Sequence, residues 1–360
     1  MIYLDYQATT PLAPEALAAM LPWFERQHAN PHSSHREGRA ARATVEVARA
    51  RIAALLPPDH DVTFTSGATE ALNWAIKGVA GSIVTFASEH AAVLDTVAAT
   101  GRPCTIVPVT GDGLIDLDRA RSAIVPGTGM VVAMLVNNEI GVVQPIAALA
   151  ELAHAAGALM VCDAVQGCGR VPVPDGCDLV AISAHKIYGP KGVGALSIRR
   201  GSSLMPLLHG GGQEAGVRSG TLSPALCAGF GTAAALMSTR AQADAAHVER
   251  LWSLALARFG TGWTINGSAD DRYRGNLNVR RDDLDVNRLM SDCRDIAISA
   301  GSACASGSGR SSHVLRAIGL ADGQARSSIR LGFGRYTTED EIVAAVDAIV
   351  AAAARQRASI

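Results

Sequence analysis

From about residue 62 the chain keeps one rhythm, in which short runs of β-branched and other apolar residues alternate with stretches of helical period. The runs VTFT, SIVTFA, CTIVPV, MVVAMLV, ALMVCD, DLVAIS and GVGALSI give seven strand candidates. Helix candidates such as TEALNWAIKGVA, HAAVLDTVAAT and PIAALAELAHAAG lie between several of them. A strand that is apolar nearly throughout needs cover on both faces, and crossover helices supply that cover while setting successive strands parallel. The pattern predicts an α/β fold with a mainly parallel seven-stranded sheet covered by helices.

Upstream, REGRAARATVEVARARIAALL places Ala, Val and Ile on one helical face and arginines on the other, which predicts a long amphipathic helix. After helices ending near residue 258 the order becomes strand NLNVR, helix VNRLMSDC, strand DIAISAG, a Gly/Ser-rich loop, strand SSIRLGFG and a final helix EDEIVAAVDAIVAAAARQR. That order suits a smaller α+β domain. A chain of 360 residues fits two domains at a prior of ~150 residues each. The expected division is a large domain over residues 15–245 and a small C-terminal domain over 246–360 together with 1–14.

Hydrophobic residues make up 48% and charged residues 18%, with a net charge of -1, so neither a disordered chain nor a direct nucleic-acid-binding surface is expected. The start, MIYLDYQATTP, carries Asp5 and lacks a basic region followed by an apolar stretch, so no secretory signal is read there. The uncharged run at 221–239, TLSPALCAGFGTAAALMST, holds Pro224 and two glycines and falls short of the ~20 predominantly apolar residues of a membrane span. It reads as a helix packed against a sheet. Seven scattered cysteines without an export signal point to reduced thiols and a cytoplasmic protein.

In an open α/β sheet, ligands bind beyond the carboxyl ends of the strands. After VTFT comes Ser66-Gly67-Ala68-Thr69-Glu70, where a helix start could seat a phosphate or simply be capped. After MVVAMLV come Asn137 and Asn138, after ALMVC come Asp163 and Gln166, and DLVAIS delivers Ser183, His185 and Lys186. Each has a plain structural alternative: a cap for Asp163, a turn for Asn138, a packed imidazole for His185. Together they match one ligand. Pyridoxal 5'-phosphate needs a lysine for a Schiff base, a carboxylate for its pyridine nitrogen and a phosphate cup. A lysine of ordinary pKa ~10.4 is almost fully protonated near neutral pH, and desolvation at a strand end lowers that value. Lys186 follows the strand directly, whereas Lys191, after a Gly-Pro turn, reads as a surface turn residue or a charge on the phosphate side.

The stretches YLDYQATTP, NPHSSH, SGATEALNWAIKG, SEHAAVLD, NNEIGVVQPI, DAVQGCGRVPV, SAHKIYGPKGVGAL, GGGQEAGVRSGT, SAGSACASGSGRSSHVLRAIG and IRLGFGR resemble, in order from about residue 3 to 340, the cysteine desulfurases of the iron-sulfur-assembly and nitrogen-fixation type. These are class V aminotransferases of PLP fold type I. The resemblance implies that Lys186 carries the cofactor, Asp163 pairs with the pyridine nitrogen, Gln166 bonds the ring hydroxyl, and His90 stacks on the ring and moves protons. It implies that Thr69, Ser183 and His185 hold the phosphate, with Ala68 in the cofactor-binding set and Thr221 reaching in from a second subunit of a homodimer. Asn138 and Arg330 would hold the substrate carboxylate, a task that suits the planar fork of arginine. The plain alternative for Arg330 is a surface strand residue. Where the family's C-terminal arginine motif often has a serine, this chain has Gly332. The chain also stops soon after its last helix, so the extended tail with which some relatives meet their scaffold is not expected.

Cys304 lies in the Gly/Ser/Ala-rich stretch GSACASGSGRSS, whereas Cys104, Cys162, Cys168, Cys177, Cys227 and Cys293 sit in or beside apolar or periodic segments and read as small buried hydrophobes. An accessible thiol in a reducing compartment invites a chemical role. Zinc is a rival use of cysteine, but Cys162, Cys168 and Cys177 lack paired close spacing, so no metal site is expected. The expected reaction starts when the amine of L-cysteine displaces Lys186; the released lysine or His90 then moves the α-proton. The Cys304 thiolate next attacks the substrate sulfur, leaving L-alanine and a persulfide. A thiol of pKa ~8.5 is only a few per cent thiolate near neutral pH, so local or substrate-assisted activation is needed. The sulfur would pass to an acceptor: an iron-sulfur scaffold, a tRNA-thiolation relay or a DNA-modification system. The rivals are a selenocysteine lyase, a plain aminotransferase or other PLP lyase, and a PLP subunit acting mainly as a partner-binding platform.

Overall fold

The sequence folds around strands that are buried along almost their whole length. The computed structural model describes residues 1–301 and 311–357. After a two-residue strand β1 (Ile2–Tyr3) come β2 (His60–Thr65), β3 (Ser82–Phe86), β4 (Cys104–Val107), β5 (Thr128–Met134), β6 (Leu159–Asp163), β7 (Leu179–Ser183) and β8 (Gly194–Arg199). The seven from β2 to β8 form one sheet in the order β2-β8-β7-β6-β5-β3-β4. Neighbours from β7 through β4 pair in parallel, and β8 alone runs antiparallel, between β2 and β7. All seven expected strands are present, and the sheet is mainly parallel as expected.

Helices α1 (Pro14–Glu25), α2 (Arg36–Ala53), α3 (Ala68–Gly78), α4 (Ala91–Thr100), α5 (Leu117–Ala123) and α6 (Ile146–Ala155) fill the connections. Phe64, Phe86, Val131 and Leu135 face one apolar cluster with residues of α2 and α6, while Ile83, Met130, Val161 and Leu196 face another with Leu72, Trp74 and Ile76 of α3. Covering both faces buries the branched side chains that the strand pattern demands, each worth roughly 1.5–3 kcal/mol. Cys104 departs from expectation: its thiol is exposed. It opens β4, an edge strand whose first three residues are exposed, so its apolar neighbours form no core around it.

The uncharged run begins α7 (Pro224–Phe259), a single helix of 36 residues capped by the Ser223 hydroxyl. Its first half packs mainly on α1 and α2 and reaches the sheet through Phe230, edge-on to Phe64. Gly231 permits this approach, because a Cβ there would lie 2.5 Å from the Ala48 Cα. Phe230 and Met237 join the main cluster, while Leu251, Trp252 and Phe259 join a separate one, so the position of the expected 245/246 boundary falls inside one continuous helix.

That separate cluster packs Leu277, Leu331, Ile342 and Val346 beneath a small sheet built from β9 (Thr264–Ile265), β10 (Asn276–Arg280), β12 (Ser299–Ala300) and β13 (Ser328–Gly332), in the antiparallel order β12-β13-β10-β9. DIAISAG is not one strand. Its first half, β11 (Ile296–Ala297), pairs with β1, and its second half, β12, pairs with β13. The N-terminal segment thereby joins the small sheet, with the Gly332 N–H donating to the Leu4 carbonyl at 2.8 Å. Among the described residues, no helix is long and apolar enough to cross a membrane.

Candidate active site

Strand β7 is buried at all five positions and ends at Ser183, after which a short turn, Ala184–Lys186, carries the chain out at the carboxyl edge of the sheet. The turn closes with Tyr188 at φ 69°. At the start of β8, a Cβ on Gly194 would lie 2.6 Å from the Ile182 carbonyl oxygen and 2.7 Å from the Gly67 Cα, so only glycine lets the turn at 66–70 nest against the ends of β7 and β8. The result is a cavity of about 630 Å³. Its walls include Ala68, Thr69, His90, Asn138, Asp163, Gln166, Ser183, His185, Lys186 and Arg330, ten of the expected site residues. Lys191 is an exposed turn residue that also borders it.

The Lys186 ammonium donates to the carbonyl oxygens of Gln7 at 2.5 Å and Ala8 at 2.9 Å. Gln166 donates from Nε2 to the same Gln7 carbonyl at 2.9 Å. Asp163, at the end of β6, is 5% exposed, and its Oδ1 accepts from the Val165 N–H at 3.0 Å. Burial pushes its carboxyl above the usual range, with His90, the Val165 bond and Lys186 opposing that push. His90 caps α4 by accepting the Ala92 N–H at Nδ1. Burial lowers its pKa, with Asp163 opposing, so the ring is neutral near pH 7. His185 is lowered further, to about 4, first by burial and then by Lys186 and Lys191, and its Nδ1 lies 3.2 Å from the Thr9 hydroxyl.

At the start of α3 the first N–H groups have no helical partner by geometry. Glu70 sits there as a carboxylate whose charge is paired with Arg218. Burial alone would raise its carboxyl, yet bonds from Arg218 at 2.8 Å and from Ser66 hold it below the usual range.

The opposite wall belongs to the small sheet. Arg330 on β13 has a side chain only 1% exposed, which rules out the surface reading. Its Nη1 donates to the Asn138 carbonyl at 2.9 Å, and its Nη2 to Asp5 Oδ1 at 2.8 Å and to the Ser299 hydroxyl at 3.1 Å. Arg330 Nε and Asn138 Oδ1 are buried without a hydrogen-bond partner, which is the state expected of groups awaiting a polar ligand. Asn137 shapes this turn by accepting the N–H groups of Glu139 and Ile140, and the Asn276 and Asn278 side chains donate to the carbonyls of Asn138 and Glu139.

Two expected residues are not in the cavity wall. Thr221 is exposed. Cys304 lies outside the described residues. The flanks of that stretch are held beside the site: the Gly301 N–H donates to the Ser328 carbonyl at 2.8 Å, Ser312 donates to the Glu139 carboxylate, and His313 Nε2 meets the Glu89 carbonyl at 2.8 Å. The residue pattern at strand ends gave no role to Asp5, Gln7 or Ala8, which follow a strand of two residues; the motif YLDYQATTP carried the only signal. Among the described residues, no cluster of His, Cys, Asp and Glu is arranged to hold a metal ion.

This lysine-bearing strand-end cavity, walled by a second small sheet, defines a class that the comparisons identify. The aminotransferase class-V family matches residues 2–344, and the chain belongs to that family. Within it, the chain is similar to the cysteine desulfurase IscS of Rickettsia akari (strain Hartford), 43% identical over 368 residues that span 97% of this chain and 90% of that protein. The fold matches the X-ray structure of a NifS-like protein from Rickettsia africae ESF-5 with a TM-score of 0.91 at 29% identity, covering 98% of this chain and 99% of that one. It also matches SspA in complex with cysteine, with a TM-score of 0.84 at 34% identity over 94% of this chain and 100% of that one.

Proposed function

We propose that this protein, a cysteine desulfurase by its similarity along almost the whole chain, carries pyridoxal 5'-phosphate on Lys186 and passes the sulfur of L-cysteine to Cys304. The observation that carries the reading is one cavity in which the Lys186 amine, the buried Asp163 carboxyl and the Arg330 fork converge. The residues present fit the cofactor. Asp163 is a buried acid that a protonated ring nitrogen would satisfy, Gln166 suits the ring hydroxyl, and His90 suits the ring face. Ala68, Thr69, Ser183 and His185 suit the phosphate. When bound, the cofactor supplies an electron sink for charge developing on the substrate.

The chain's own groups divide the remaining work. Arg330 and Asn138, whose Nε and Oδ1 lack partners, take the substrate carboxylate and so orient the α-carbon. Lys186 Nζ moves the α-proton, and His90, neutral at pH 7, can hold one. His185, neutral by the same cause, meets phosphate through an N–H without adding charge. At Cys304 the thiol sulfur forms a bond to the substrate sulfur as the substrate C–S bond breaks. The carbon takes up a proton, so L-cysteine and a thiol become L-alanine and a persulfide, with the sulfur oxidised and the carbon reduced. Thr221 serves the cavity of a second subunit in a homodimer. The outer sulfur of the persulfide passes to a thiol of an acceptor protein, returning Cys304 to a thiol, for iron-sulfur or thio-modification chemistry in the cytoplasm.

The test is alanine formation from L-cysteine by cofactor-loaded protein with a thiol reductant and no keto acid. The expected result is alanine from the parent and a fall on the order of 10³-fold or more in Lys186→Ala. Alanine only on addition of a keto acid would make the protein an aminotransferase. Selenide release from selenocysteine that ignores Cys304→Ala would make it a lyase.

A further inference from the structure

Beneath the floor of the cavity, the stretch after Asp163 doubles back. Gly167, Cys168 and Arg170 close successive turns, with the Cys168 N–H donating to the Ala164 carbonyl and the Arg170 N–H to the Gly167 carbonyl at 2.8 Å. Gly169 adopts φ 71°, and a Cβ there would lie 2.8 Å from the Met237 Cβ. The consequence is that Arg170 points back under the site. Its Nη1 donates to the Gln166 carbonyl at 3.0 Å and its Nη2 to the Lys186 carbonyl at 2.5 Å. The guanidinium lies over the Tyr273 ring, 5.2 Å from the centroid. Among the described residues, no carboxylate forms an ion pair with it.

We infer that Arg170 is a positioning residue for the reaction: one planar fork fixes the backbone of Lys186 and of Gln166 relative to each other, and with them the cofactor's two attachment sides. The inference rests on the reading of Lys186 as the cofactor lysine. Only arginine can do this from below, because two donors in a rigid plane reach two carbonyls at once, while lysine offers a point charge on a flexible stem. A purely structural arginine here would matter equally whether or not the cofactor is bound. A positioning arginine matters to the loaded protein.

The experiment compares the parent with Arg170→Lys and Arg170→Met, cofactor-loaded and stripped. Borohydride reduction and peptide mapping of the parent first establish which lysine is labelled. The expected result is label on Lys186, cofactor release roughly tenfold faster or more in both variants, and a displaced pH midpoint of the visible absorbance. The thermal midpoint of the stripped protein should stay that of the parent in Arg170→Lys. Unchanged release and absorbance, or a loss of stability equal in stripped and loaded protein, would overturn the inference while leaving Lys186 in place. Label on a different lysine would fail the reading of Lys186, and this inference with it.

Discussion

The two walls of the cavity are built differently. The wall proposed for the cofactor comes mainly from adjacent strand ends, with Asp163 on β6 and Lys186 just beyond β7, and sheet register sets the spacing of these two. The wall proposed for the substrate is assembled from segments far apart in the chain: Asp5, Asn138, Ser299 and Arg330 meet in one hydrogen-bonded group. The first wall takes its frame from the sheet and meets the N-terminal segment at the Gln7 and Ala8 carbonyls, whereas the second requires the N-terminal segment and the small sheet to dock on the large one. Damage to the cofactor wall should therefore act on chemistry, and damage to the substrate wall on substrate affinity and on the joint between the two parts.

Arg330→Ala should have the largest effect on the substrate wall. Losing the charged fork proposed to hold the substrate carboxylate should lower kcat/KM for L-cysteine about 100-fold, mainly through KM, with visible cofactor absorbance retained. A fall in kcat at unchanged KM would erase the distinction between the walls. Asp5→Asn comes next. It removes the counter-charge of a buried guanidinium, so urea denaturation should show a loss of about 3 kcal/mol, and KM should rise without loss of the absorbance.

Gly332→Ser sharpens the comparison at closer range. A Cβ at this position would lie 1.7 Å from Gln7 Oε1 and 2.8 Å from the Tyr6 nitrogen, so the serine frequent in the resembling family does not fit beside this N-terminal segment. The expected cost is about 1–3 kcal/mol in denaturant midpoint analysis, partly recovered when Gln7→Ser accompanies it. At neutral pH the smallest effect belongs to the wall proposed for the cofactor, because it emerges only as pH falls. His185 binds a proton only below about pH 4 when folded, against ~6.5 for an exposed histidine. Between these values the unfolded chain holds the extra proton, so stability of the stripped protein falls as pH drops through this window. His185→Gln should flatten that part of the denaturation profile.

The same contrast explains what the residues alone disclosed. Asp163, Gln166, Ser183 and Lys186 were legible because strand ends in a parallel sheet face a common crevice and the strands announce themselves by composition. Arg330 could be assigned only through resemblance, since nothing in SSIRLGFG says that its side chain is buried against Asp5. The splitting of DIAISAG between two pairings was hidden for a related reason: alternation marks a strand but not the partner it leaves midway. Cys104 misled because apolar neighbours at a sheet edge face solvent on their outer side. The docking of the 7–9 segment under Lys186 depends on backbone carbonyls, which carry no side-chain signature.

The most direct measurement is a single turnover of the cofactor-loaded parent with L-cysteine, quantifying alanine and the sulfur carried on the peptide containing Cys304, with Cys304→Ala in parallel. The account predicts alanine and Cys304 persulfide in equal amounts from the parent and little alanine from the variant. Alanine at the parent's rate from Cys304→Ala would contradict it.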